Sequence, residues 1–542
     1  MKSLALAGLA LLVGSGLPAR AGLLDRLREA IEPAPATLWQ PDLGNGAYKN
    51  PVLFADYSDP DVVRVGDDFY LTASSFQYVP GLPILHSTDL VNWTLVGHAA
   101  PRLPARFDAV HHSDGLWAPS IRWHDGWFWI FVGDPDLGIL MTKARMPEGP
   151  WTPLHVVKAG KGLIDTCPLW DDDGRAWLVH AWAGSRAGIN SILTVHEMSP
   201  DGTRLLDEGR TAFDGRGGVQ PTIEGPKFYK RDGWYWILAP AGGVEGGWQL
   251  ALRSKTPQGP YEARRVLDQG STVINGPHQG GWVELANGEN WFLHFQQRNP
   301  YGRIVHLEPM QWKNGWPVIG ADPDGDGIGE PVAQFRKPDV AKKSAPQVPQ
   351  TSDEFDGPTP ALQWQWPANP RAEWSSLTAR PGWLRLNAVP SPDAPNLWSA
   401  PNLLTQKLPA PAFRATTKLE LAAEAPPKTR AGLLVFGRSY AGLVVSRRGD
   451  ELEIQCVRCL FAADDEPERT EATAHVPAGP VWLRVFMRPE GRCVFSYSTD
   501  GERFTELGAP FQARGETWVG AKLALFCSGP AGHADFDWFR VE

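Results

Sequence analysis

Five stretches between Asp59 and Phe295 repeat one design: a proline, a short apolar strand, a turn carrying Asp-Gly or a similar pair, then an aromatic-rich strand. They read "DPDVVRVGDDFYLTAS", "APSIRWHDGWFWIFVG", "CPLWDDDGRAWLVHAW", "GPKFYKRDGWYWILAP" and the looser "GPHQGGWVELANGENWFLHF". Their prolines, Pro60, Pro119, Pro168, Pro226 and Pro277, recur every 50 to 60 residues or so, roughly the period at which strand-turn-strand units stack as propeller blades. Five copies predict five blades. Segments such as "PILHSTDLVNWTLVG" and "GILMTKARMPEGPWTP" follow the aromatic strands and supply about four strands per blade.

The repeat sorts the acidic residues. Asp67 and Asp68 fall at the turn, where the other copies carry "HDG", "DDDG", "RDG" and "ANG", so they read as turn residues. The start of each copy varies instead: Asp59-Pro60, Ala118-Pro119, Asp165 three residues before Pro168, Glu224-Gly-Pro226, and Asn275-Gly-Pro277-His278. Innermost strands of a propeller all begin at one end of the axis, so these positions converge on one funnel. Carboxylates gathered there repel one another and lose hydration, which spreads their pKa values apart. One group can then stay ionised as a base while another keeps its proton as an acid. Asp59, Asp165 and Glu224 are therefore the candidate catalytic set, against the plainer reading of loop caps or arginine partners. Asp61 enters the strand, and Asp56 precedes the repeat without an evident role.

The texture changes after Pro331. "AQFRKPDVAKKSAPQVPQTS" reads as a linker, and from Asp353 short alternating strands such as "RATTKLELAA", "AGLLVFG" and "ADFDWFRVE" predict a β-sandwich. The chain is expected to be all-β, with a five-bladed propeller over 50–332, a linker over 333–352 and a sandwich of jelly-roll, concanavalin A-like form over 353–542. At the other end, Met1-Lys2, an apolar run and Ala19-Arg20-Ala21 make a secretory signal peptide over 1–21, and 22–49 is an N-terminal extension holding "LLDRLREAIE", the one helical pattern. A secreted or periplasmic protein without a membrane anchor is expected.

Formal net charge is −9 without long runs, which disfavours nucleic acid as a partner. The five cysteines are too few for a disulfide framework; Cys456-x-x-Cys459 lacks a second pair for zinc and is read as strand, with one bridge to Cys493 or Cys527 left open. The 25 tryptophans suit both β cores and the apolar faces of sugars. "DPDGDGIGE", Asp322 to Glu330, imitates a calcium loop, but no helix pattern flanks it and Ala333 stands at the twelfth position. An EF-hand is rejected, and an acidic turn is the reading preferred over another calcium site.

"YSDPDVV", "GLIDTCPLWDDDGRAWLVHAW" and "IEGPKFYKRDGWYWILAPAGG" resemble the three acidic motifs of glycoside hydrolase family 43. "GLPILHSTDLVNW", "GLWAPSIRWHDGWFWIF", "GPHQGGWVE" and "YGRIVHLEPMQWKNGWPVIG" further resemble its β-xylosidase and α-L-arabinofuranosidase branches, and the C-terminal part resembles the concanavalin-like sandwich attached to many such enzymes. The resemblance implies inverting hydrolysis of plant cell-wall oligosaccharides or polysaccharides, with Asp59 as general base, Glu224 as general acid and Asp165 tuning and orienting Glu224. It implies that Arg303 contacts the terminal sugar, that Phe76 and Trp117 wall its pocket, and that His278 faces a structural calcium or water cluster on the axis, with no cofactor required for the chemistry. β-Xylosidase is the first reading and α-L-arabinofuranosidase the runner-up, with a loop from the sandwich closing the pocket. A retaining β-fructosidase is disfavoured because its N-D-P-N-G type motif is replaced by "YSDPDVV". A purely binding protein has no need of three carboxylates at equivalent blade starts.

Overall fold

Apolar residues on both faces of nearly every strand in the first half mean that each small sheet must be covered on both sides. The computed structural model, which describes residues 38–390 and 395–542, shows how this is met. Five antiparallel four-stranded sheets follow one another, each from consecutive sequence. Blade 1 comprises Asp61–Val65, Asp68–Thr72, Gly81–Ser87 and Thr94–Ala100. Blade 2 comprises Trp117–His124, Trp127–Asp134, Gly138–Ala144 and His155–Ala159, and blade 3 Leu163–Trp170, Ala176–Trp182, Ile192–Met198 and Arg210–Asp214. Lys227–Arg231, Trp234–Ala241, Trp248–Ser254 and Glu262–Leu267 make blade 4; His278–Glu284, Asn290–Arg298, Gly302–Lys313 and Trp316–Ile319 make blade 5. The signal peptide and the helical pattern beside it lie outside the described residues.

The apolar layers lie between blades. Along the second strand of blade 2, Phe128, Ile130 and Val132 join Ile84 and Leu82 of blade 1, whereas Trp129 and Phe131 join Leu163 and Leu178 of blade 3. This is the period-2 alternation of a strand with both faces buried. Each such large side chain contributes about 1.5–3 kcal/mol by leaving water, so the blade-to-blade layers hold the ring together. The ring closes where blade 5 meets blade 1: Val283, Leu293 and Val305 pack with Val62, Phe69 and Leu71. A β-carbon on Gly281 would lie 2.6 Å from Asp61 Oδ1, so the closing strands approach closely only because that position is glycine.

Below the funnel a buried polar network ties four inner strands. Asp61 of blade 1 accepts from Arg122 Nη1 of blade 2 at 2.6 Å, and Arg122 Nη2 reaches Cys167 Sγ of blade 3 at 2.9 Å. Lys227 of blade 4 donates to Pro119 O at 2.7 Å and Ser120 Oγ at 2.9 Å. Asp61 is thus an ion-pair partner inside its strand. Asp67 is a turn residue as expected; Asp68 begins the next strand and pairs with His86 and Lys342.

The C-terminal third folds as two sheets of eight and six strands. Their inner faces share a core that takes in Phe54, Tyr301 and Ile304 from the propeller. The described residues accordingly lie in one compact unit. The segment read as a linker is strapped down: Gln334–Arg336 pairs with Ala47–Lys49, and Lys337 bridges Asp42 and Asp89. All five cysteines are buried and free, which removes the bridge left open from sequence. They pack as small apolar side chains, as buried thiols commonly do.

Candidate active site

The inner strands do not begin as regular strands. Asp59, Ala118, Asp165, Gly225 and Gln279, one at the head of each blade, have φ of 54°, 41°, 58°, 58° and 42°. In blades 2, 3 and 5 the pairing also slips there, between Trp117 and Ser120, Ile164 and Cys167, and His278 and Gly280. Left-handed conformations cost about 1–3 kcal/mol each for residues with a β-carbon, and bulges re-aim side chains. The strain is spent on turning side chains at the blade heads towards the axis. Gly225 must be glycine for a second reason, since a β-carbon there would meet the Gln279 side chain at 2.6 Å.

Asp59 is buried and held from three directions. Arg303 Nη1 donates to Oδ1 at 2.8 Å, and Ser58 Oγ and Ser74 Oγ donate to Oδ2 at 2.8 and 2.6 Å. Both serines are themselves fixed: Arg303 Nη1 also donates to Ser58 Oγ at 2.9 Å, and Ser74 Oγ accepts from Ala118 N at 2.6 Å. A carboxylate so oriented has its position set before any substrate arrives. Arg303 supplies the balancing charge.

Asp165 is buried and accepts from Gly225 N at 2.8 Å. Burial first, then the charges of Glu224 and Asp59, push its carboxyl well above the usual aspartate range, against the opposing pull of Gly225 N–H and Lys227. Glu224 is the accessible member, its side chain 34% exposed, with Oε1 3.1 Å from His278 Nε2. The resemblance implies that Asp165 tunes and orients Glu224; burial and the neighbouring acids push the Asp165 carboxyl itself upward.

His278 is buried, and its Nδ1 has no protein partner. Gln279 Nε2, on the next residue, is likewise unpartnered. Calcium takes six to eight oxygen ligands. Unpartnered imidazole and amide nitrogens are no oxygen set for calcium; Nδ1 of His278 fits a water, and an ion only behind its own water shell. Among the described residues the group of carboxylates close enough to share a metal lies elsewhere, at Asp322, Asp324 and Asp326 in the acidic turn, with donor atoms within 4.8 Å of one another. There Lys313 pairs with Asp322, and backbone amides of Gly325, Asp326 and Ile328 cap the carboxylates.

Phe76 and Trp117 stand together at the rim, ring centroids 6.5 Å apart, with only 3% and 8% of their surfaces exposed. The more accessible ring is Trp518, 39% exposed, which comes from the sandwich and meets Trp117 edge-on at 4.8 Å. Its loop is anchored by Glu516, which is buried and accepts from Tyr78 Oη at 2.5 Å and Gln77 Nε2 at 3.1 Å and contacts His112 Nδ1 at 2.8 Å. Beside it Gly520 N donates to Asp56 Oδ2 at 2.9 Å, while Asp56 Oδ1 accepts from Arg303 N at 3.0 Å. Trp518, Ser58, Ser74 and Asp56 were missed from sequence. The serines stand in "YSDP" and "SSFQ", next to residues that were singled out, whereas Trp518 carries no signal at all.

A strained five-bladed funnel with an arginine-clamped carboxylate at one blade head and two further acids at others defines a glycosidase. Residues 48–317 match the model of Glycosyl hydrolases family 43, and residues 352–542 match the Beta xylosidase C-terminal Concanavalin A-like domain. A protein of Xylanibacter ruminicola that carries a beta-xylosidase name is 40% identical over 485 residues, covering 89% of this chain and 86% of that one. A non-reducing end alpha-L-arabinofuranosidase of Bacteroides ovatus is 32% identical over 376 residues, 65% of this chain and 67% of that one. Among solved structures, xylan beta-1,4-xylosidase from Bacillus halodurans superimposes with a TM-score of 0.80 at 25% identity, over 91% of this chain and 99% of that one. The chain belongs to glycoside hydrolase family 43 and is a glycoside hydrolase.

Proposed function

We propose that the protein is an inverting exo-β-xylosidase that removes terminal β-D-xylose from xylo-oligosaccharides or xylan. The observation that carries this reading is the division of the funnel into a clamped carboxylate, Asp59, and an accessible one, Glu224, with a buried partner, Asp165. Asp59, aimed by Arg303, Ser58 and Ser74, takes a proton from the attacking water. Glu224 delivers a proton to the leaving oxygen, and Asp165 tunes and orients it as the sugar excludes water from the pair. Inverting hydrolysis requires the two acting carboxyl groups to stand about 6.5–9.5 Å apart, so that water fits between one of them and the sugar. Arg303 contacts the terminal sugar, and Phe76, Trp117 and Trp518 wall it. The chemistry needs carboxylates alone; a water or hydrated calcium beside His278 would serve the axis structurally.

The β-xylosidase names of the Xylanibacter relative and of the Bacillus halodurans enzyme support xylose as the released sugar. The Bacteroides arabinofuranosidase supports the runner-up, removal of α-L-arabinofuranose from arabinoxylan or arabinan. We further propose export of the mature chain after cleavage near Ala21. The deciding experiment assays mature protein on 4-nitrophenyl β-D-xylopyranoside, 4-nitrophenyl α-L-arabinofuranoside and xylobiose, with the anomer of released xylose followed by NMR. Higher kcat/KM on the xylosides with α-xylose as first product is expected. A β-xylose product, or preference for the arabinoside, overturns the assignment.

A further inference from the structure

Beyond the rim tryptophan the sandwich presents a second feature that the catalytic reading does not use. Leu460 and Phe461, 46% and 51% exposed, project beside Arg438 and Arg514. The segments are stitched together: Ala462 N donates to Arg438 O at 3.0 Å, Ser439 bridges Arg514, and Arg438 Nη1 contacts Thr517 Oγ1 at 3.5 Å, next to Trp518. Beside them lies a groove of about 240 Å³, bordered by Leu460, Phe461, Arg458, Arg514 and Ser439, with Arg438, the residue before Ser439, next to that lining in sequence. Buried Ser439 Oγ and Arg458 Nε on its lining have no protein partner.

The charge pattern is unusual for this protein. Its net charge is −9, yet among the described residues Arg438 and Arg514 form no ion pair, while Arg458 alone is answered by Glu471 at 2.9 Å. An exposed aromatic ring beside two unanswered guanidinium groups suits a ring with an apolar face and a carboxylate. Contacts also join the groove's edge to the funnel rim: Arg438 reaches Thr517, and the next residue, Trp518, meets Trp117.

We propose that this groove binds a uronic acid branch on the leaving part of a xylose-based chain, so that acid-substituted oligosaccharides are held across the sandwich while their end is hydrolysed. Arg438 and Arg514 take the carboxylate and Phe461 packs on the sugar face. The proposal rests on the xylosidase reading for the chain in the funnel.

The test is calorimetric binding to the hydrolytically inert Asp59→Asn protein of two xylo-oligosaccharides of equal length, one neutral and one bearing glucuronic acid on an internal xylose. The acidic one is expected to bind about fivefold more tightly at low salt, the equivalent of one charge-assisted contact. That advantage should vanish at high salt and in an Arg438→Ala/Arg514→Ala background, and fall in Phe461→Ala, with neutral binding and melting temperature unchanged. Equal binding of the two sugars, or an advantage indifferent to the arginines, overturns the groove alone. Failure of both sugars to bind overturns the xylosidase reading and the groove with it.

Discussion

Trp518 of the sandwich and Trp117 of the propeller meet edge to face, centroids 4.8 Å apart and planes at 78°. The rim of the funnel is therefore built by two distant parts of the chain. Trp518→Ala should raise KM for xylobiose about tenfold, with a smaller change in kcat, as expected for loss of roughly 1–2 kcal/mol of apolar contact shared by ground and transition states. Steady-state kinetics on xylobiose check this. A fall in kcat with unchanged KM would assign the ring to the chemical step instead.

Asp59 and Glu224 should separate by leaving group. Asp59→Ala should lower kcat by about 10²–10⁴ on every substrate, because every substrate needs the water activated. Glu224→Ala should do so on xylobiose and far less on an aryl xyloside whose leaving group needs no proton. Comparison of kcat across phenols of graded acidity reads this directly as a steepened dependence in the Glu224 variant.

Asp165 is a case in which function opposes stability. Its folded pKa lies above the unfolded value, so between the two the native state binds more protons, and stability falls as pH rises through that window. Asp165→Asn removes the buried charge. The variant should melt higher than wild type at about pH 7, with the gap closing below about pH 3.5, where the carboxyl is protonated in both states. Its kcat on xylobiose should fall, because Glu224 loses the acidic partner that tunes and orients it. Differential scanning calorimetry and kcat against pH measure the two effects.

Asp56 joins the arginine strand to the sandwich. Burial alone would raise its carboxyl, but the charges of Lys522 and Lys407 and the N–H groups of Arg303 and Gly520 outweigh it and hold it below the usual range. Such a group stabilises the fold above the unfolded pKa and ceases to do so as pH falls through the folded one. Asp56→Ala should cost about 3–5 kcal/mol at pH 7, since Lys522 is left buried without its counter-charge. Denaturant unfolding at pH 7 checks the magnitude. An accompanying rise in KM is expected through Arg303.

The blade count, the order of the strands and the three carboxylates were legible because the repeat writes them in register: a propeller assembles from consecutive sequence, so position within a copy is position around the axis. The same register sorted Asp59 from Asp67. It failed for Asp68, which begins a strand, and it placed Asp61 in its strand without its partner; His86, Lys342 and Arg122 belong to other strands, the linker or the next blade. Asp56 had no reading because all that gives it one, Arg303, Gly520 and Lys522, is hundreds of residues away.

Local periodicity and turn chemistry suffice for the two-part all-β plan and for the acids at the blade heads, so both can be read along the chain. Which acid is pushed up in pKa cannot, nor that Trp518 completes the rim, that His278 turns one nitrogen to Glu224, or that the five cysteines stay unpaired. These depend on burial and on contacts between distant segments, and neither quantity exists until the propeller closes and the sandwich docks against it.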